Sequence, residues 1–237
     1  MGLSVGSLLL LSACDIPPEA ATGPSDIASP EEVLGEVLNE DLGGTVKNLN
    51  RGTGEQIIAL GDSITAGAGV GPAAAYPNLL SQTLELPIVN QGRGGDTTAT
   101  ALNRLQLDVI DANPWLVIVG LGGNDYLQQV PPTETEANLR QIVTRLQQSG
   151  AIVVLLGMDV SPFNGSYEGL YQRVANEAQA YLIPGVLSGL NEARYLSDPI
   201  HPNQAGHEIL ASRVAEGLKP LLEAATLPAN LANQRPN

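Results

Sequence analysis

Short apolar runs alternate along most of the chain with amphipathic segments of helical periodicity. The run at residues 57–60 has the length and branching of a strand covered on both faces, and Gly61 permits a sharp turn where that strand ends. Four further strands are predicted at residues 87–90, 115–121, 151–157 and 181–183. Helices are predicted at residues 73–84, 97–111, 135–148, 168–180 and 203–223. Strands that alternate with helices in this way indicate βα units and a mostly parallel sheet.

Regular structure is expected to be sparse on either side of this alternating region. Residues 15–54 are rich in Pro, Gly, Ala and carboxylates, so we predict a flexible acidic tether over residues 14–54, within which a short helix at 30–40 is conceivable. Residues 225–237 are predicted to be a disordered tail. The expected folded domain therefore covers residues 55–224.

The composition bounds the class of protein. The chain has 237 residues, of which 43% are hydrophobic and 15% charged, and this suits one globular domain together with some non-globular sequence. The formal charge is −14 with only 11 Lys and Arg residues, which argues against a nucleic-acid partner, because phosphate binding requires clustered cations. A single cysteine allows no internal disulfide, and no Cys/His cluster has zinc-site spacing, so we expect no metal.

That cysteine follows a short apolar run at the start of the chain. Leu11-Ser12-Ala13-Cys14 resembles a bacterial lipobox, in which a signal segment, here residues 1–13, is removed and the cysteine is lipidated. We therefore expect a lipoprotein of the bacterial cell envelope, anchored to a membrane through Cys14 and facing the periplasm or the exterior. Residues 1–7 contain no Lys or Arg, unlike an ordinary signal peptide. The alternatives are that the true start of the protein lies upstream, or that the cysteine is unrelated to lipidation. A spanning helix is excluded, because the apolar run falls well below the ~20 residues that a bilayer requires.

Candidate chemistry begins at Ser63, directly after the first strand in Gly61-Asp62-Ser63. Ligands of open α/β sheets bind at such strand ends. A serine hydroxyl is a poor nucleophile alone, so Ser63 is either the cap of the following helix or a nucleophile that needs a base and an anion-stabilising group elsewhere in the chain.

Two glycine-rich segments offer groups that stabilise an anion. The segment at residues 92–98 follows a strand and opens a helix, so the amide of Gly95 can point at an oxyanion, although such segments are often only tight turns. Gly122-Gly123-Asn124-Asp125 follows the strongest strand, and it is either a plain turn or the source of an amide donor on Asn124.

A candidate base lies shortly before the last helix. Asp198 precedes His201 by three residues in a proline-flanked segment, so His201 can accept the proton of Ser63 while Asp198 orients the ring. The second histidine, His207, has no serine or acid motif beside it, and we predict a structural role for it.

Together, these four segments in this order resemble the SGNH hydrolases, also called GDSL-type lipases and esterases, and in particular their bacterial lysophospholipase and arylesterase branch. The resemblance covers residues 56–223. It implies a three-layer α/β/α fold of flavodoxin-like type and no metal or organic cofactor. It also implies a nucleophile on Ser63, a base at His201 held by Asp198, and an oxyanion hole formed by the amides of Ser63 and Gly95 with the side chain of Asn124.

The expected function is a serine esterase that hydrolyses short acyl esters, lysophospholipids or acylated sugars through an acyl-enzyme on Ser63. The same four segments serve a glycan or peptidoglycan O-acetyl esterase, and a non-catalytic binding lipoprotein with a retained hydrolase fold is the less favoured alternative. Residues 158–171, with Phe163, Gly165, Tyr167 and Tyr171, either line an acyl pocket or are merely packed. We expect a monomer.

Overall fold

A five-stranded sheet forms the centre of the molecule. The computed structural model describes residues 46–50, 53–158, 167 and 169–233. The strands are β1 (Gln56–Gly61), β2 (Ile88–Gly92), β3 (Pro114–Gly120), β4 (Ile152–Leu156) and β5 (Tyr181–Ile183). Their order is β2-β1-β3-β4-β5, and every neighbouring pair is parallel. This confirms the predicted α/β class and the parallel sheet.

Helices connect the strands and cover both faces of the sheet. They are α1 (Ser63–Ala66), α2 (Tyr76–Leu84), α3 (Thr98–Asp108), α4 (Gly123–Leu127), α5 (Pro132–Gln148), α6 (Leu170–Ala178), α7 (Gln204–Ala224) and α8 (Ala229–Ala232). Helix α2 packs against α7, while α5 packs against both α3 and α6, so two helical layers enclose the sheet. The result is the three-layer α/β/α arrangement.

The core follows from the position of each strand in the sheet. All seven residues of β3 and all five of β4 are buried, because both strands lie inside the sheet and are covered by helices on both faces. Strand β2 lies at the edge, and there only Ile88 is buried. The strands at the centre of the sheet are therefore the ones whose sequences are continuous apolar runs.

In two of the predicted helices, a 3-10 turn replaces part of the predicted length. Helix α2 begins at Tyr76 and not at residue 73, because Pro72–Ala74 forms a 3-10 turn and Ala75 is extended. Helix α3 ends at Asp108, and a second 3-10 turn at Ile110–Ala112 follows it. Two short helices, α1 and α4, occur where the sequence predicted turns, and both carry site residues.

The packed domain extends beyond its predicted limits at both ends. Residues 46–50, assigned to the tether, contact the domain: Leu49 is buried, and Asn48 Nδ2 donates to the carbonyls of Gln147 and Ala151. In the predicted tail, Leu231 of α8 is buried and Asn230 Nδ2 donates to the carbonyl of Glu55. The physical reason is local burial of a leucine at each end.

Several predictions fall on residues that the structure does not describe. The signal segment at residues 1–13, Cys14 and the conceivable helix at 30–40 lie outside the described residues. Across the described ranges, every helix is too short or too polar to span a bilayer.

Candidate active site

Three of the four predicted polar segments leave the sheet from adjacent strand ends. Gly61 of β1 is in register with Gly92 of β2 on one side and with Gly120 of β3 on the other. The carboxyl ends of these strands therefore lie level, and the segments that follow carry Ser63, Gly95 and Asn124. This is the edge at which parallel sheets place their ligands.

Ser63 is the first residue of α1, and its neighbour Asp62 is the helix cap. The Asp62 side chain accepts a hydrogen bond from the backbone N–H of Ile64 at 3.0 Å, which is the bond of an N-cap residue. The alternative that Ser63 caps this helix is therefore wrong, and its hydroxyl is free for other partners. The turn packs so closely on β2 that a Cβ on Gly92 would collide with the backbone of Ala66.

The hydroxyl of Ser63 meets the predicted histidine. His201 Nε2 lies 3.0 Å from Ser63 Oγ, and His201 Nδ1 lies 2.7 Å from Asp198 Oδ2. A neutral imidazole whose Nδ1–H donates to Asp198 exposes the lone pair of Nε2 to the serine hydroxyl. The structure thus joins these three residues in one hydrogen-bonded chain, with geometry suited to proton transfer from Ser63.

A small closed loop holds the acid and the histidine. Leu196 and Pro202 form an antiparallel bridge, and the N–H of Ser197 donates to the carbonyl of His201 at 2.9 Å. The other carboxylate oxygen of Asp198 accepts the backbone N–H groups of Ile200 and His201, each at 2.9 Å. The carboxylate is thereby fixed on both oxygens.

The hydrogen bond from His201, helped by the two backbone N–H groups, lowers the pKa of Asp198 to about 2. The carboxylate therefore remains ionised through the whole range in which proteins usually work. Its negative charge stabilises an imidazolium on His201, and its fixed position orients the ring.

Three hydrogen-bond donors are available beside the serine. The side chain of Asn124 donates through Nδ2 to the carbonyl of Asp96 at 2.9 Å, and since an amide carries two hydrogens, the second remains for a ligand. Gly95 has φ of +83° and is exposed. In residues 53–158 and 169–233, no acceptor is found for the backbone N–H of Ser63 or of Gly95. These groups suit an oxyanion.

A buried carboxylate that the sequence did not single out supports the Asn124 segment. Asp125 is fully buried and accepts hydrogen bonds from the backbone N–H of Thr98 at 2.8 Å, from the Thr98 hydroxyl and from the Thr135 hydroxyl at 3.2 Å. These contacts tie the first turn of α4 to α3 and α5. The signal available in the sequence was its place directly after Asn124 at a strand end.

The helix cap Asp62 is also buried, with 3% of its surface exposed. Burial raises the pKa of Asp62 from 3.8 to about 6, although the Ile64 N–H and the nearby His201 oppose this rise. A carboxyl group that ionises with difficulty thus lies beside the nucleophile position.

The second histidine packs inside the domain. His207 is fully buried, and its Nδ1 accepts the backbone N–H of Tyr76, the first residue of α2, at 3.2 Å. Burial lowers the pKa of His207 from its ordinary value, which favours the neutral form of the ring. These contacts agree with the structural role predicted for it.

The aromatic segment predicted as a possible pocket wall lies partly outside the described residues, as Phe163 and Gly165 do. Tyr167 and Tyr171 are buried, and their hydroxyls donate to the carbonyls of Val130 at 2.7 Å and Leu121 at 2.9 Å. These two tyrosines are packed, as the alternative interpretation held. Among the described residues, no group of three or more His, Cys, Asp or Glu side chains could hold a metal.

Fold and site together define a class. A parallel five-stranded sheet with Ser63, Gly95, Asn124 and His201 on the four polar segments has the arrangement of the SGNH hydrolases. The GDSL-like lipase/acylhydrolase family matches residues 59–209, and the chain belongs to this family of ester-hydrolysing enzymes.

Known relatives agree with this assignment. The chain is 32% identical over 180 residues to esterase TesA of Pseudomonas aeruginosa, covering 71% of this chain and 90% of the relative. It is 30% identical over 177 residues to thioesterase 1/protease 1/lysophospholipase L1 of Escherichia coli K12, covering 71% and 85%. A crystal structure of TesA is 31% identical, covers 70% of this chain and 99% of that one, and superposes with a TM-score of 0.66.

Proposed function

We propose that this protein is a serine esterase in which Ser63 attacks the acyl carbonyl. The observation that carries the proposal is the hydrogen-bonded chain from Ser63 Oγ through His201 to Asp198. Serine needs such a base because its hydroxyl is protonated at neutral pH.

In the first half of the reaction, Oγ of Ser63 bonds to the carbonyl carbon while its proton passes to His201 Nε2. The carbonyl oxygen becomes an oxyanion that accepts hydrogen bonds from the N–H groups of Ser63 and Gly95 and from Asn124 Nδ2. The tetrahedral intermediate then collapses, the bond to the alcohol oxygen breaks, and His201 returns the proton to that alcohol. An acyl-enzyme on Ser63 remains.

Water completes the cycle. A water molecule gives a proton to His201 and bonds to the acyl carbon, and the same three donors hold the second oxyanion. Collapse of this intermediate releases the carboxylic acid and returns the proton to Ser63. Asp198 holds a negative charge beside His201 in both halves, because its lowered pKa keeps it ionised.

The substrates we propose are acyl esters of small alcohols, lysophospholipids or acylated sugars. Two observations support an apolar group near the reacting bond. Leu127 at the end of α4 and Ile200 beside His201 each expose 46% of their surface, on the same segments that carry Asn124 and the base. The names of the two relatives, an esterase and a thioesterase/lysophospholipase, point to acyl substrates as well.

A fluorophosphonate probe tests the nucleophile directly. We expect the probe to label Ser63 in the wild-type protein and to leave Ser63→Ala unlabelled, with the modified residue located by peptide mass spectrometry. Ser188→Ala, in a loop after β5, is the matched control and should be labelled like the wild type. A wild-type protein that neither reacts with the probe nor hydrolyses nitrophenyl esters would leave the binding-lipoprotein alternative in place.

Acyl-chain length separates the proposed esterase from a glycan O-acetyl esterase. Nitrophenyl acetate and nitrophenyl decanoate should both be hydrolysed if the exposed Leu127 and Ile200 contact the substrate. Activity confined to acetyl esters, and present on acetylated glycans, would favour the O-acetyl esterase instead.

We further propose that the mature protein is anchored to a membrane of the bacterial cell envelope through a lipidated Cys14. Only the sequence motif supports this. Cys14→Ser should move the protein from the membrane fraction to the soluble fraction, with kcat/KM unchanged. A wild-type protein that is soluble and carries no lipid would contradict it.

A further inference from the structure

Arg104 is a buried cation directed at the loop that carries Gly95, one of the three oxyanion donors. It lies on α3 with 7% of its surface exposed, on the same helix face as the buried residues Ala101 and Leu105. Nε of Arg104 donates to Asp96 Oδ2 at 2.6 Å. A second nitrogen, Nη2, donates to the carbonyls of Gln91 at 2.8 Å and Gly61 at 3.2 Å.

These acceptors belong to two of the four site segments and to the strand that leads into the second. Gly61 ends β1 two residues before Ser63, Gln91 lies near the end of β2, and Asp96 directly follows Gly95. The carbonyl of Asp96 accepts the side-chain N–H of Asn124. One guanidinium therefore fixes the spacing between the strand that delivers the serine and the loop that presents Gly95, and through Asp96 it reaches Asn124.

The remaining contacts tie the same loop at its other end. Nη1 of Arg104 donates to Asp108 Oδ2 at 3.2 Å, and that oxygen also accepts Nη2 of Arg93 at 3.0 Å. The N–H of Arg93 donates to the carbonyl of Gly61 at 2.9 Å. The segment between Arg93 and Asp96, which contains Gly95, is thus held at both ends by groups that Arg104 contacts.

We propose that Arg104 is a positioning residue for the oxyanion hole, acting through Asp96 on Gly95 and Asn124. This inference rests on the proposed esterase function. A buried ion pair is weak evidence for stability, because desolvation of both charges offsets their attraction. A planar guanidinium that reaches four acceptors in fixed directions is, in contrast, well suited to hold a loop in place, and an ammonium cannot reproduce that geometry.

We expect the loss of Arg104 to act on the transition state and not on substrate binding. The oxyanion exists only after attack on the carbonyl, so displaced donors lower kcat while the substrate KM changes little. A misplacement of about 1 Å is enough for a loss on the order of 10²-fold. A trifluoromethyl ketone, which forms an oxyanion adduct with the serine, should lose affinity by the same factor as kcat/KM.

The experiment compares Arg104→Lys and Arg104→Ala with Arg140→Ala. Arg140 on α5 is a matched control, because it too bonds two acidic side chains, Glu136 and Glu177, but on the surface. Rates are expressed per serine titrated to completion with the fluorophosphonate. We expect both Arg104 variants to lose kcat/KM and trifluoromethyl ketone affinity in parallel, with the larger loss in Arg104→Ala, and Arg140→Ala to match the wild type.

Added guanidinium provides a second measurement. Millimolar guanidinium should restore part of kcat in Arg104→Ala by filling the vacated site, whereas sodium should not.

Wild-type kcat/KM in the Arg104 variants, or a loss of rate without any loss of inhibitor affinity, would overturn the inference. If Arg104→Ala does not fold, Arg104→Lys alone carries this comparison. A wild-type protein without esterase activity would overturn the proposed function as well, whereas an active wild type with unaltered variants overturns only the role of Arg104.

Discussion

His201 Nε2 and Ser63 Oγ lie 3.0 Å apart although 138 positions separate the two residues in the chain. Ser63 follows β1, an inner strand of the sheet, and His201 precedes α7, which packs on α2. The Leu196–Pro202 bridge and the Asn203 cap of α7 fix the loop that presents the ring. The pair is therefore a product of the tertiary fold.

Removing either partner should abolish turnover. Ser63→Ala leaves no nucleophile, and His201→Ala leaves no group to accept its proton, so each should reduce kcat by about as much as the double variant does. Steady-state hydrolysis of a nitrophenyl ester measures this. Losses that multiply in the double variant would mean that the two residues act independently.

Asn124→Ala should reduce turnover less than Ser63→Ala or His201→Ala does. It removes one oxyanion donor of three, for which a fall in kcat of about 10²-fold to 10³-fold is the usual scale. Fluorophosphonate labelling of Ser63 should persist at a reduced rate, measured by timed quenching. Asn78→Ala, which removes a half-buried side chain bonded to the carbonyl of Pro72, is the control and should keep the wild-type rate.

Asp198→Asn should reduce kcat by up to ~10⁴-fold, because an amide does not stabilise the imidazolium of His201. The pKa of Asp198 is lowered to about 2, so the carboxylate is fully ionised above its ordinary pKa of 3.8 and is neutralised only as pH falls through about 2. The carboxylate is therefore ionised throughout the usual pH range of an esterase assay, and the full loss should be seen at pH 8 by steady-state hydrolysis of a nitrophenyl ester. A wild-type kcat in Asp198→Asn at pH 8 would contradict this role of the carboxylate.

Asp62→Asn should change how stability depends on pH. The pKa of Asp62 is raised from 3.8 to about 6, so ionisation costs more in the folded chain, and the cost develops as pH rises from about 4 to above 6. A rise of this size corresponds to about 3 kcal/mol, at ~1.36 kcal/mol for each pKa unit. Urea unfolding should find the variant gaining about this much relative to the wild type between pH 4 and pH 7. An identical pH profile for both proteins would be evidence against the buried acid.

His207→Ala should reverse the pattern of His201→Ala. It leaves the buried N–H of Tyr76 without its acceptor, which costs about 1–3 kcal/mol of unfolding free energy, while kcat per titrated serine should stay at the wild-type value. Because the pKa of His207 is lowered, this contribution is present above pH ~6.5 and is lost as pH falls below it. Loss of turnover in His207→Ala with full activity in His201→Ala would show that the base is the other histidine.

Much of this arrangement could be predicted from local patterns. The five strands lie within two residues of their predicted limits, because buried central strands require continuous apolar runs such as that of β3. The site residues could be predicted because each lies in a short polar segment beside a strand or helix end. They are Ser63, Gly95, Asn124 and the Asp198–His201 pair. Residues at such ends can be recognised from their neighbours in sequence.

The supporting residues could not be predicted in this way. Arg104, Asp125 and Asp62 are polar side chains whose roles depend on burial or on partners from other segments. The one sequence signal for Arg104 was its place on the buried face of α3 beside Ala101 and Leu105. A polar group in the interior is paired by whatever the packing of strands and helices brings within about 3 Å, and that packing is set by side chains distant in sequence.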